Sequence, residues 1–178
     1  MNIKEYFKSI DEGVKRGYEV ANRARAKGFD PVNEVEVPIA TTLAEKAVGL
    51  ISTVYPQLLG CGVDERIMEL EKEYGALETA VPFKIAEEIA REKFCKFKDL
   101  LEAIDVGIRV GFSYITLGVV SSPIEGYTGI KTGKTKIGET YIKCYFSGPI
   151  RSAGGTGAAF SLVILDYLRE VFGYSKYD

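Results

Sequence analysis

The last helix of this chain constrains its fold more than any other segment. Between Ala158 and Phe172, the residues Leu162, Val163, Ile164, Leu165, Tyr167, Leu168, Val171 and Phe172 leave almost no polar face. A helix that is apolar nearly all round reads as one buried on several sides. Two strands cannot cover it, so the helical region upstream, or sequence beyond Asp178, is expected to wrap it. Its entry is equally defined. Tyr141, Lys143 and Tyr145 alternate with Ile142, Cys144 and Phe146, the period of a strand with two different faces. That strand runs through a glycine-rich turn, Gly148 to Thr156, into the helix, which Gly173 closes. With 178 residues, 46% hydrophobic and 27% charged, the chain can bury a core and reads as one domain, or one domain with a helical extension.

Upstream, helices dominate. Ile3, Tyr6, Phe7, Ile10, Val14, Tyr18 and Ala21 fall on one helical stripe, with Asn2 placed to cap it and Gly28 to stop it. Its last turns carry Arg23, Arg25 and Lys27, which suit the carboxyl end of the helix dipole. Asp30-Pro31 breaks the pattern, and Val32 to Pro38 reads as an extended connector. Thr42 and Glu45 form a capping-box pair before Ala44, Ala47, Val48 and Ile51. Asp64 is placed to cap a helix with Ile67, Leu70 and Tyr74 on its apolar side, and Pro82 suits the first position of another, read as a surface helix with Glu87 and Arg91 four apart. A further helix is expected from about Phe97 to Leu117, where Asp105 and Arg109 can pair and Gly107 and Gly111 let a neighbour approach closely. After Ser121-Ser122-Pro123, strands are expected at Tyr127 to Lys131 and Thr140 to Phe146. The predicted fold class is α+β: a mainly helical N-terminal part, a small β-hairpin, the glycine-rich turn and a buried helix. The expected divisions are an amphipathic helix over 1–30, a linker over 31–40, a helical region over 41–120, and hairpin, turn and helix over 121–178, the last two forming one domain.

The turn is the candidate binding site. Arg151, Ser152, Gly154, Gly155 and Thr156 stand where a strand gives way to a helix, whose first N–H groups have no intrahelical partner and favour an anion. Arg151 can add a forked, charge-assisted clamp. The same residues also suit ordinary fold chemistry, with glycines allowing close approach, Pro149 stiffening the turn, and Ser152 or Thr156 capping the helix. Charge favours the first reading. The net charge is −2, yet residues 129–155 hold Lys131, Lys134, Lys136, Lys143 and Arg151 against Glu139 alone, a local excess of four positive charges.

Other chemistries are excluded by spacing. Gly129 to Thr135 imitates a phosphate-binding loop, but only three residues separate Gly129 from Gly133 and a strand follows where that loop needs a helix. Glu69 and Glu73 lie four apart with no histidine in the chain to join them, which reads as a solvated acidic face. Cys61, Cys95 and Cys144 are odd in number and scattered, so neither a disulfide framework nor a zinc site is expected, and a reducing cytoplasm is the simplest setting. Val110 to Val120 is too short to span a bilayer.

The string Gly148-Pro149-Ile150-Arg151-Ser152-Ala153-Gly154-Gly155-Thr156 resembles the N-terminal region of the large subunit of archaeal family D DNA polymerase. Other patches agree in order: Lys27 to Pro31, Val35 to Pro38, Leu43 to Lys46 with Gly49 and Leu50, Lys84 to Ile89, and Ser122 to Gly126. The resemblance implies an N-terminal, non-catalytic piece of a longer chain. For the full protein it implies nucleotide transfer to a primer end, magnesium at paired aspartates, zinc at cysteine clusters, DNA, and a small exonuclease subunit as partner. None of those metal ligands lies in this sequence, so no catalytic residue and no cofactor is assigned to it. Its expected role is in architecture, subunit assembly or DNA placement. A stand-alone phosphate- or nucleotide-binding module and a structural dimerisation domain are the competing classes.

Overall fold

A computed structural model describes residues 2–29, 40–118 and 121–177. The chain divides into two compact units, Met1–Pro38 and Ile39–Asp178. The expected linker therefore lies, apart from Ala40, outside the described residues.

The described part of the first unit is built on one helix, α1 (Ile3–Ala26). Asn2 and Glu5 close a full capping box, and Gly28 takes up a left-handed φ of 74° just past the end. None of its residues is buried. Ile3, Tyr6, Phe7, Ile10 and Val14 stand exposed along one face.

Among the described residues the second unit holds five further α-helices and a hairpin: α2 (Leu43–Ser52), α3 (Val63–Tyr74), α4 (Ala80–Ala90), α5 (Leu100–Ile115), β1 (Tyr127–Lys134), β2 (Thr140–Phe146) and α6 (Gly154–Val171). This is the α+β, mainly helical fold expected. Local signals set several boundaries. Thr42 and Glu45 cap α2 reciprocally. Asp99, not a residue near Phe97, starts α5 by accepting the Glu102 N–H. At α3 the cap is Gly62, with φ 89°, and Asp64 sits inside the first turn; the left-handed turn brings the chain into the helix two residues early. Pro82 stands in the third position of α4, which already begins at Ala80.

The core lies on both sides of α5. One cluster joins α2, α3, α4 and α5 through residues such as Ile51, Ile67, Ile85, Val106 and Tyr114; the other joins α4, α5, β1 and α6 through Ile104, Ile108, Phe112, Tyr127 and Ile164. Helix α5 is buried from Ala103 to Tyr114 without interruption. Its two glycines explain how it fits so close to α4. A Cβ at Gly107 would lie 2.5 Å from the Ala86 carbonyl oxygen, and one at Gly111 2.8 Å from that of Pro82. They serve close approach, as expected.

One sequence expectation is corrected, and another is met on one side. Helix α4 is not a surface helix: it packs on α3, α5 and α6 and buries seven residues, Glu88 among them. Arg66 reaches Glu88 from α3 at 2.9 Å and Lys93 at 3.2 Å, so the buried carboxylate is compensated. Burial opposes the charge on Glu88, but Arg66 and Lys93 outweigh it and hold its pKa below 4.5. Helix α6 is covered by the upstream helices on one side. It buries Gly157, Ser161, Ile164, Leu165 and Leu168 and leaves Leu162 and Val163 about half exposed. Helices α4 and α5, strand β2 and the 148–153 turn all pack on it.

Candidate functional site

The hairpin and the glycine turn hang on one buried polar hub. Asp105 and Arg109, one turn apart on α5, form an ion pair at 2.8 Å with both side chains about nine-tenths buried. Arg109 then donates to the carbonyls of Pro123 at 2.7 Å and Tyr127 at 3.0 Å, and its guanidinium lies 4.7 Å from the Tyr127 ring centroid. Asp105 accepts the Tyr127 hydroxyl at 2.8 Å and the Tyr55 hydroxyl at 3.0 Å. Every polar atom in this group is answered, which makes a buried charge pair tolerable. Burial first, and then Asp105, pushes the Tyr127 hydroxyl well above its ordinary pKa, and the same causes take Tyr55 to about 12 and the Cys144 thiol to about 12. Burial works against the charge on Arg109, yet Asp105 outweighs it and raises its pKa.

The pairing of Asp105 with Arg109 was legible from their spacing. What the pair holds was not. It grips one turn of π-helix, Ser122–Gly126, with Pro123 near its start; α5 itself has already ended at Ile115, where Leu117 and Gly118 turn left-handed. That turn in turn seats the next. Ser147 donates its N–H to the Gly126 carbonyl at 2.8 Å and its hydroxyl to the Glu125 carbonyl. A Cβ on Gly126 would lie 2.8 Å from Ile150 N and Cα, so only glycine lets the two turns touch.

The residues from Gly148 to Ala153 form a short 3-10 helix that feeds directly into α6 at Gly154. Helix α6 thus begins four residues before Ala158. Gly154 has φ 76°, and its N–H closes the turn on the Arg151 carbonyl. Arg151, Gly154, Gly155 and Thr156 are exposed. The Ser152 side chain lies outside the described structure. Arg151 has no carboxylate partner among the described residues: Asp166 is held by Arg169 at 2.7 Å, and Glu125 accepts the Ser121 hydroxyl at 3.0 Å. Arg151 and the first three residues of the 18-residue helix α6 are thus exposed within six positions of the chain.

The segment that imitates a phosphate loop, Gly129 to Lys134, is strand β1 throughout. Glu69 pairs with Arg66 at 2.9 Å on the outer side of α3, consistent with a solvated acidic face. The three cysteines are free thiols. Among the described residues no three His, Cys, Asp or Glu side chains gather to hold a metal ion. Asp105 in the hub is paired with Arg109, and Glu88 on α4 with Arg66. No described helix is long and apolar enough to cross a membrane.

Comparison with known proteins agrees along almost the whole chain. The family described as DNA polymerase II large subunit DP2, N-terminal, matches residues 5–178. The DNA polymerase II large subunit of Nanoarchaeum equitans is 40% identical over 173 residues, covering 97% of this chain and 14% of that protein. That of Methanosarcina barkeri is 38% identical over 175 residues, covering 98% and 14%, and that of Thermococcus kodakarensis 36% over 177 residues, covering 98% and 9%. The chain thus spans a small fraction of the length of these relatives. With the glycine turn, the hub beneath it and this match in hand, the chain belongs to the family of N-terminal regions of the archaeal family D DNA polymerase large subunit.

Proposed function

We propose that this chain is the non-catalytic N-terminal region of a replicative DNA polymerase large subunit, and that its work is subunit assembly. One observation carries this reading: α1 is a 24-residue helix with a complete capping box, an exposed apolar face and no buried residue. A lone helix with such a face is marginal in water, so its apolar stripe calls for a partner surface. The partner that fits the reading is the small exonuclease subunit of the same polymerase. Catalysis would belong to the remainder of a longer chain, together with the magnesium and zinc that the family resemblance implies. Three free thiols fit a reducing, cytoplasmic setting. The test is to delete residues 1–27 from the full-length large subunit and follow co-purification with the small subunit. Loss of the complex is expected, whereas undiminished assembly and unchanged oligomer size overturn the assembly role.

The Arg151 corner is proposed as an anion site for the DNA backbone in the intact enzyme. Its support is the exposed guanidinium, without a carboxylate partner among the described residues, just ahead of the N-terminal end of α6 in the chain. Arg151→Ala is expected to leave the fold intact, because the side chain is exposed. It should weaken DNA binding about equally for all sequences and make the salt dependence shallower by roughly one charge. An unchanged salt slope contradicts the site.

A further inference from the structure

The outer face of the hairpin has no structural use for its charges. In the register of β1 and β2, Gly129 opposes Tyr145, Lys131 opposes Lys143, and Gly133 opposes Tyr141, so these six residues share one face. The other face, with Ile130, Ile142 and Cys144, packs on the core. Two lysines directly opposite each other repel, and among the described residues neither has a carboxylate partner. Both are exposed. Each instead rests against a ring of its own strand pair: Lys131 Nζ is 5.5 Å from the Tyr145 centroid and Lys143 Nζ is 5.4 Å from the Tyr141 centroid. Tyr141 also meets the Tyr177 ring at 5.1 Å. The two glycines leave the rings without bulky cross-strand neighbours, and a recess of about 230 Å³ opens between Thr128, Gly129, Lys131 and Tyr145. The result is a pair of ammonium groups framed by two rings that stand roughly 13 Å apart along the strand. The chain as a whole carries a net charge of −2, so this face is not a by-product of general basicity.

We propose that this face binds single-stranded nucleic acid, with Tyr141 and Tyr145 stacking on unpaired bases and Lys131 and Lys143 meeting the phosphates. Rings flanking cations are the arrangement that holds a single strand without reading its sequence. A duplex shows its phosphates but hides its base faces, so it satisfies the lysines alone. The inference goes beyond the assembly role and does not rest on it: a chain that supports assembly yet ignores single strands overturns the present proposal and leaves the other standing.

The experiment is fluorescence anisotropy of the 178-residue chain with a labelled oligothymidylate and with a duplex of equal length, across a salt titration. The chain is expected to prefer the single strand. The double variant K131Q/K143Q should make the log–log salt slope shallower by about 1.4, two contacts on a single strand. Tyr145→Leu should lower affinity about tenfold with the slope unchanged. Thermal unfolding of each variant reports whether the hairpin is intact, which its exposed positions predict. Absence of binding at the lowest salt, equal affinity for duplex, or variants that bind like the parent chain each overturn the proposal.

Discussion

At the scale of single residues, the fold depends on places where one atom decides between opposite outcomes. Gly49 and Gly107 both lie inside helices. A Cβ on Gly49 meets nothing within 4 Å, whereas one on Gly107 lands on the Ala86 backbone. Gly49→Ala should therefore stabilise the chain by roughly 0.5–1 kcal/mol through helix propensity. Gly107→Ala gains the same propensity but forces α4 and α5 apart, and should cost about 1–3 kcal/mol on balance. Denaturant unfolding of the two variants tests the sign directly, and equal shifts would contradict the close packing. Arg109 is the other decisive residue. Arg109→Met keeps the volume but strands Asp105 and three backbone carbonyls, so a loss of roughly 3 kcal/mol or more is expected. The same variant should loosen the turns at 122–126 and 148–153, visible as faster amide exchange there.

At the scale of elements, what could be read in the sequence was whatever is written locally. The starts of α1 and α2 were legible because Asn2 is a capping residue and Thr42 stands three residues before Glu45; the second half of the α1 box, Glu5, was not read. The glycine turn was legible for the same reason. Burial was not. Glu87, Glu88 and Arg91 gave α4 the look of a surface helix, while Glu88 is answered from Arg66, 22 residues earlier. The π-helical turn was seen only as a break at Pro123, because the guanidinium that organises it comes from α5. Of the candidate site, the exposed residues were named in advance, and the hub that seats them was visible only as one ion pair. Buried Tyr114 and half-buried Tyr55 and Tyr167 link these elements and set a pH dependence. Burial heads the causes that push Tyr55, Tyr114 and Tyr167 to about 12, with Asp105, Glu71 and Glu87 as their carboxylate neighbours. A pKa raised in the folded state contributes stability that is complete below the unfolded value near 10 and is lost as pH rises toward 12. The guanidinium midpoint should therefore fall across that window. Tyr167→Phe, which removes one titrating group, should soften the fall, and a flat midpoint from 10 to 12 would contradict the burial of these hydroxyls.

At the scale of the whole molecule, the two units divide the work. Ile39–Asp178 carries the core, the hub and the exposed cationic features of hairpin and turn. Met1–Pro38 carries an apolar helix face that nothing in α1 itself can bury. Family membership ties both to the start of a polymerase large subunit, of which this chain spans 14% or less in the relatives described above. The central claim is that α1 is an assembly element. It is tested most directly by measuring, by size-exclusion chromatography with light scattering, whether a full-length large subunit lacking residues 1–27 still forms a complex with the small subunit. The account predicts that the complex is lost while the thermal unfolding of the remaining core is unchanged. A complex of the same mass and stability, formed without α1, would contradict it.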